Sequence, residues 1–458
     1  MTEPKSRFAV GQRSFSDLLT MDMKCECGRR HTIGTRAVVV KPGAVREIPR
    51  VLRELGLVGR LAVVFDKNVR PIAEESVLPV LTQANLRFEP LCLEKPGELV
   101  ADLTTARELM DRLPSDADVL VSVGSGTVND LSKYSASVRG LPYVSVATAP
   151  SMNGYTSSIT ALTAGKFKTT QETSAAVAVI ADVDILKQAP ADMIRAGLGD
   201  LISKWVCNAD WKLSQLVHKT YFCRVPFEMI RQQEQYYMEH ASDLGHGEPT
   251  AVQALTEAIM ISGFSMSIVG TSSPSSGSEH LVSHTWEMKD HLAGKPGHLH
   301  GAQVGVGTAL MARLYELVAA LEPKGLNPVR MAAAYPTWEE IEQTITAFYG
   351  PIAPDVLKES REKYPERQQL ELELEWVLGN WTRMWQQLKP FRKSSEEIVR
   401  VLTEAGAPAR PADLEIDAET TFQTIMHARF MRSRYTILDL AAALGVLEDL
   451  ARRVTEEA

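Results

Sequence analysis

Between residues 35 and 184 short apolar runs alternate with stretches of helical period, which restricts this part of the chain to a parallel, doubly wound sheet covered by helices. The apolar runs are Ala37 to Val40, Leu61 to Phe65 ending in Asp66, Phe88 to Leu93, Asp118 to Val123, Tyr143 to Val146 and Val179 to Asp184. Helix-like segments separate them at 44–55, 77–83 and 103–113. Near residue 188 the alternation stops. Beyond it the period is helical over 193–216, 226–241, 250–268, 304–321, 338–348, 354–388, 396–405 and 422–447. The expected architecture is α/β over residues 1–188 followed by an all-α domain over 189–458. A chain of 458 residues exceeds what one core normally supports, so two domains are also the expectation from length.

A nucleotide binds at the carboxyl ends of the strands in such a sheet. Gly124-Ser125-Gly126-Thr127-Val-Asn-Asp130 follows the fourth apolar run and opens a helix, so its glycines allow close backbone approach and its free amides suit a pyrophosphate. Two glycines at a strand-to-helix turn also occur for steric reasons alone. The run Ala147-Thr148-Ala-Pro-Ser151-Met-Asn153-Gly-Tyr-Thr-Ser157-Ser is a loop of small residues that can lie along a dinucleotide. Asp66 ends a strand, where a carboxylate accepts from a ribose and repels a 2′-phosphate, favouring NAD with NADP as the second option. An ordinary turn aspartate is the alternative.

The densest chemistry lies in residues 277–301, which hold five of the ten histidines. In a helix His280 and His284 share one face, and Pro296-Gly297 returns the chain so that His300 faces them. Two such histidines with one carboxylate make a divalent-metal site with an open position. Asp200, in Gly197-Leu-Gly199-Asp200, is the candidate carboxylate, since two glycines in a helix are tolerated where something approaches the backbone. A surface loop rich in histidine is the competing reading.

Five cysteines fit reduced thiols better than a disulfide framework. Cys25-Glu-Cys27-Gly-Arg-Arg-His31 looks like half of a zinc site, but no second Cys/His pair follows at suitable spacing, so it reads as a tight turn before the first strand. The net charge of −8 excludes non-specific attraction to nucleic acid. The sequence contains no run of about 18 to 20 continuous apolar residues and no apolar signal core at its start, so no membrane partner and a cytoplasmic location are expected. The charged stretch 359–375 reads as a solvated amphipathic helix, and no internal repeat is present.

Together G-S-G-T-V-N-D, T-A-P-S-x-x-G-Y-T-S, G-L-G-D-L-I-S-K, G-S-E-H-L-V-S-H-T-W-E-M and H-L-H-G-A-Q-V-G resemble the glycerol-1-phosphate dehydrogenases. Within the iron-dependent alcohol dehydrogenase and dehydroquinate synthase superfamily, the bacterial AraM-like branch is the most similar. The resemblance implies a Rossmann-like dinucleotide-binding domain, a helical metal- and substrate-binding domain, and a homodimer. It implies metal ligation by Asp200, His280 and His300, with His284 beside the substrate, and cofactor binding by Gly124 to Thr127, Thr148 to Ser151 and Ser157. Asn153 stands where the family loop carries an aspartate that contacts the substrate; it keeps the size but loses the charge and adds a donor.

The activity so implied is NAD(H)-dependent interconversion of dihydroxyacetone phosphate and glycerol 1-phosphate, or of a related polyol or sugar phosphate, as in phospholipid metabolism. One zinc, nickel or iron ion would be the Lewis acid and His284 the proton relay. Lys204, Lys166 and Lys168 are candidates for a substrate phosphate, each weighed against an exposed surface lysine. The alternatives are a dehydroquinate synthase-like cyclase and a non-catalytic nucleotide-binding regulator.

Overall fold

The computed structural model describes residues 15–458 apart from Pro96 and Lys166. The chain divides into two compact units. The first takes the described residues through Leu162 together with Thr170–Ile194 and Cys223–Ser272. The second takes Thr163–Thr169, Arg195–Phe222 and Ser273–Ala458. A division read from periodicity at 188 did not foresee that helices of 223–272 join the sheet-bearing unit.

Among the described residues ten strands form in chain order. β1 (Asp22–Lys24) and β2 (Arg30–Thr32) make an antiparallel pair. β3 (Ala37–Lys41), β4 (Leu61–Asp66), β5 (Phe88–Leu93), β6 (Val119–Gly124) and β7 (Tyr143–Ala147) follow the apolar runs. β8 (Ile159–Ala164) pairs with β9 (Phe167–Glu172), and β10 (Ala178–Asp182) returns to the main sheet. That sheet is fully parallel in the order β3-β10-β7-β6-β4-β5. β4, β6, β7 and β10 are buried along their whole length, which is why they read as continuous apolar runs rather than as alternation.

After β4 the chain adds β5 on one side, whereas β6, β7 and β10 build toward the other, so strand order reverses between β4 and β6. These two strands pair from Leu61↔Val119 to Val64↔Ser122, and they end in Asp66 and Gly124. A crevice forms at such a reversal, outside the carboxyl ends of the strands. Helix Pro249–Val269 belongs to the same unit; its mean hydropathy of 1.4 would suffice to cross a membrane, but 78% of that apolar window is buried inside the protein.

Several helical expectations are corrected, among them 422–447, which falls into Ala418–His427, the short turn Ala428–Met431, Ile437–Ala443 and Leu447–Glu457. Residues 193–216 break at Ser203 into Ala191–Ile202 and Lys204–His218. Residues 354–388 divide into Ala353–Lys363, Arg367–Gly379 and Trp381–Leu388, because Pro365 cannot donate a helical hydrogen bond and Asn380 leaves the helical region. Part of the charged stretch 359–375 is therefore a connection between helices. The polar loop after β7 was expected, but the β8–β9 pair beyond it was not; alternating Thr and apolar residues in Ile159–Ala164 were its signal.

Candidate functional site

In the first unit the Gly124 turn sits at the strand reversal. A Cβ on Gly124 would meet the Val128 side chain at 2.5 Å, so glycine is required there by packing. Ser125 is the N-cap of helix Gly126–Arg139 and makes no side-chain capping hydrogen bond, the arrangement in which the first helical amides can receive an anion. Thr127 follows on the first turn and Asp130 just beyond it, where its carboxylate accepts from the Asn129 side-chain amide at 3.0 Å. The Asp66 carboxylate accepts from the amides of Asn68 and Val69, both at 3.0 Å, so it closes its own turn.

The loop carrying Thr148, Ser151, Asn153 and Ser157 is fastened from two directions. Lys133 is fully buried and its ammonium donates to the carbonyls of Gly154 at 2.5 Å, Ile159 at 2.9 Å and Ser157 at 3.2 Å. Burial lowers its pKa to about 8, with Asp130 opposing. From helix Pro249–Val269, the Met260 carbonyl accepts from the Thr156 hydroxyl at 2.6 Å and Ser267 donates to the Thr156 carbonyl at 2.8 Å. Gly263 on that helix lies so close that a Cβ would sit 2.5 Å from the Asn153 carbonyl. Ser157 is itself buried, with its hydroxyl engaged by Ile159. Sequence reasoning passed over Lys133, and its helical neighbours Asn129, Asp130 and Ser137 gave no signal that it would be buried.

In the second unit, helix Ser278–Ala293 places His280, His284 and Glu287 in one row, and His300 begins helix His300–Ala319. The imidazole centroids are 5.3 Å apart for His280 and His300, 5.6 Å for His284 and His300, and 6.0 Å for His280 and His284. Asp200, buried near the end of helix Ala191–Ile202, brings Oδ1 to 3.7 Å from His280 Nε2. What approaches the backbone at Gly199 is the carbonyl of Gly301, and a Cβ on Gly305 would lie 3.1 Å from the Gly199 Cα. Helices Ala191–Ile202 and His300–Ala319 thus cross with their main chains touching.

Burial holds His280 well below the usual imidazole pKa, reinforced by His300 and opposed by Asp200. For Asp200 burial pushes the carboxyl up, but Lys204 and then the imidazoles of His280 and His300 outweigh it and leave it lowered. A carboxylate beside neutral nitrogens is the donor set of a divalent cation, and the residues present fit one. His284, Glu287 and His300 make a second, more open group whose ligand atoms lie within 4.8 Å of one another.

Residues 39–190 match the family model described as iron-containing alcohol dehydrogenase. The chain is 30% identical over 418 residues to glycerol-1-phosphate dehydrogenase [NAD(P)+] of Halalkalibacterium halodurans, an alignment covering 91% of this chain and 94% of that relative. The chain belongs to the glycerol-1-phosphate dehydrogenase family. The relative of the same name from Geobacillus stearothermophilus is 28% identical over 433 residues, covering 93% and 97% of the two chains. A probable glycerol dehydrogenase structure from Sinorhizobium meliloti shares the fold with a TM-score of 0.60 at 15% identity, over 92% of this chain and 99% of that one.

In this member of the glycerol-1-phosphate dehydrogenase family, two acidic residues near the histidines were not picked out from sequence. Glu279 Oε1 lies 2.7 Å from His280 Nδ1 and accepts from the Gly277 amide at 2.8 Å, so Nδ1 carries the proton and Nε2 offers the lone pair. Glu287 Oε1 is 3.6 Å from His300 Nδ1. Lys204 is neither exposed nor turned outward. Its ammonium donates to the Asp200 carbonyl at 2.8 Å and to Ser203 Oγ at 3.0 Å, and it lies 3.4 Å from Asp200 Oδ1. Lys166 and the Lys168 side chain, the other phosphate candidates, lie outside the described residues.

Proposed function

We propose that the protein is an NAD(P)-linked, metal-dependent oxidoreductase that interconverts dihydroxyacetone phosphate and glycerol 1-phosphate. The observation that carries the reading is the gathering of buried Asp200 and His280 with half-buried His284 and His300 in one cluster of a chain that resembles its named relatives along nearly its full length. Asp200, His280 and His300 would hold one divalent ion, be it zinc, nickel or iron. Such an ion would polarise the ketone, and the nicotinamide would supply hydride.

The chain's own residues do the rest. Glu279 fixes the His280 tautomer, and burial keeps that ring neutral. Lys204 holds Asp200 ionised and in place rather than binding substrate phosphate. His284 supplies the proton that the ketone oxygen gains as it becomes the product hydroxyl. Gly124, Ser125, Gly126 and Thr127 receive the pyrophosphate, with Thr148, Ser151 and Ser157 along the dinucleotide. Asp66 faces the ribose, using the oxygen that its turn does not occupy. Asn153 presents a neutral amide to a substrate hydroxyl. A homodimer in the cytoplasm completes the proposal, and neither the cyclase nor the regulator alternative is favoured by the relatives named above.

The test is NADH absorbance with purified protein and zinc, nickel or ferrous iron, comparing dihydroxyacetone phosphate with dihydroxyacetone. Metal-dependent oxidation with the phosphorylated ketone alone is expected. NADH binding without turnover of either ketone would overturn the assignment and mark Asn153 as a change of substrate.

A further inference from the structure

The half-site seen in sequence acquires its missing ligand from far along the chain. Cys25 and Cys27 sit in the turn between β1 and β2, where the Cys25 amide donates to the Arg29 carbonyl at 2.9 Å and the Gly28 amide to the Cys25 carbonyl at 3.0 Å. Gly28 takes a φ of +85°, which glycine adopts without strain. His31 lies on β2 and is fully buried. Cys223, the N-cap of helix Arg224–Glu239, comes to meet them, and all four residues belong to the first unit.

Their ligand atoms lie within 4.8 Å of one another. Cys25 Sγ and Cys223 Sγ are 3.7 Å apart, and His31 Nε2 is 3.3 Å from both Cys27 Sγ and Cys223 Sγ. A tetrahedral zinc with Zn–S of about 2.3 Å has sulfur–sulfur edges of about 3.8 Å, close to what the apposed thiols already show. The sulfurs are far beyond disulfide bonding, and none of the three is in a disulfide.

The imidazole is turned for the purpose. His31 Nδ1 is 2.9 Å from the Ile268 carbonyl, which can only accept, so Nδ1 carries the hydrogen and Nε2 presents a bare lone pair to the sulfurs. One lone pair can satisfy only one S–H donor, so two thiols at equal distance are better served by a shared cation. The Cys27 amide points at Cys25 Sγ from 3.5 Å, an N–H to sulfur contact that favours thiolate.

We propose that Cys25, Cys27, His31 and Cys223 form a closed, tetrahedral zinc site, separate from the Asp200 and His280 cluster, that fastens the β1–β2 hairpin to the helices of the first unit. Four protein ligands leave no position for substrate, and three thiolates select zinc among the common hard and soft divalent ions. Binding displaces the thiol protons, three per ion. The tether is long-range: it joins residue 27 to residue 223 and, through His31, to the carboxyl end of helix Pro249–Val269.

The test uses the wild-type chain isolated without chelator. Titration with an organomercurial in the presence of a zinc-sensitive dye should release one zinc per chain as three thiols react, and cobalt-exchanged protein should show near-ultraviolet thiolate charge transfer. Cys27→Ser and Cys223→Ser should each lose that ion, whereas His280→Ala should keep it, so the result is independent of the catalytic proposal. Thiols that react freely with no metal released, or a Cys25–Cys223 disulfide found by mass spectrometry of the native protein, would overturn it. The wild-type readings decide the matter even where a serine variant fails to fold.

Discussion

The two units answer their buried polar groups in different currencies. In the first, His31 turns to the Ile268 carbonyl, Lys133 to the carbonyls of Gly154, Ser157 and Ile159, and Asp182 to the amides of Gly43, Val45 and Asp184. In the second, ionisable side chains meet one another: His280 meets Glu279, Lys204 meets Asp200, and Lys363 meets Asp439 at 2.8 Å. Main-chain dipoles hold a shape but cannot take up a proton, whereas paired side chains can redistribute charge when a ligand arrives. The comparison assigns fixed geometry to the sheet-bearing unit and charge movement to the helical one.

The strongest way to break this division is His280→Ala. Losing a ligand should lower turnover by about 10³-fold or more, equivalent to several kcal/mol of polarisation, while metal analysis still finds the thiolate-bound ion. If both metals leave together, the two clusters are not independent and the comparison fails.

Buried acids give the next effect. Asp210 is pushed up to about 7 by burial and then by Glu279, Glu279 is pushed up to about 7 by burial with Lys204 and Arg434 opposing, and Glu373 is pushed up to about 7 by burial, with the Tyr435 hydroxyl opposing. For Glu373 the folded chain keeps, between pH 4.5 and about 7, a proton that the unfolded chain has released. Its contribution to stability therefore falls as pH rises through that window and is level above it. Glu373→Gln should follow wild type below the window and exceed it by about 3 kcal/mol at pH 8, read from urea midpoints. Parallel curves for the two proteins would show that this acid is not held neutral.

The smallest effect sharpens the contrast at a single atom pair. Glu279→Gln keeps an acceptor for His280 Nδ1 but removes the charge behind it, so metal affinity at the Asp200 cluster should fall about 10- to 100-fold. Competition with a chelator measures this. Affinity at the thiol cluster, which is backed by a carbonyl, should not change.

Much of the first unit was legible because four of its strands are buried on both faces and spell themselves as apolar runs; the half-buried Phe88–Leu93 was also read to the residue. The helical row of His280 and His284 and the return at His300 were legible for the same reason, a local period with a proline-glycine break. Cys223 was not, since nothing near residue 223 announces its meeting with residues 25 to 31. Nor was the inward turn of Lys204, because sequence records that a lysine is present but not whether a carboxylate one turn earlier will hold it. Glu279 went unread because it adjoins His280 on the helix, off the four-residue row that pairs His280 with His284.

The crossing of helices Ala191–Ile202 and His300–Ala319 through Gly199, Gly301 and Gly305 has one more consequence. Where side chains separate two helices, a spacing drifts as those side chains are exchanged over generations. Here the separation equals the thickness of two bare peptide chains, a quantity that no accepted substitution can adjust in small steps. The spacing of Asp200 and His300, which sit on these two helices, is therefore set by backbone dimensions rather than by side chains at the crossing.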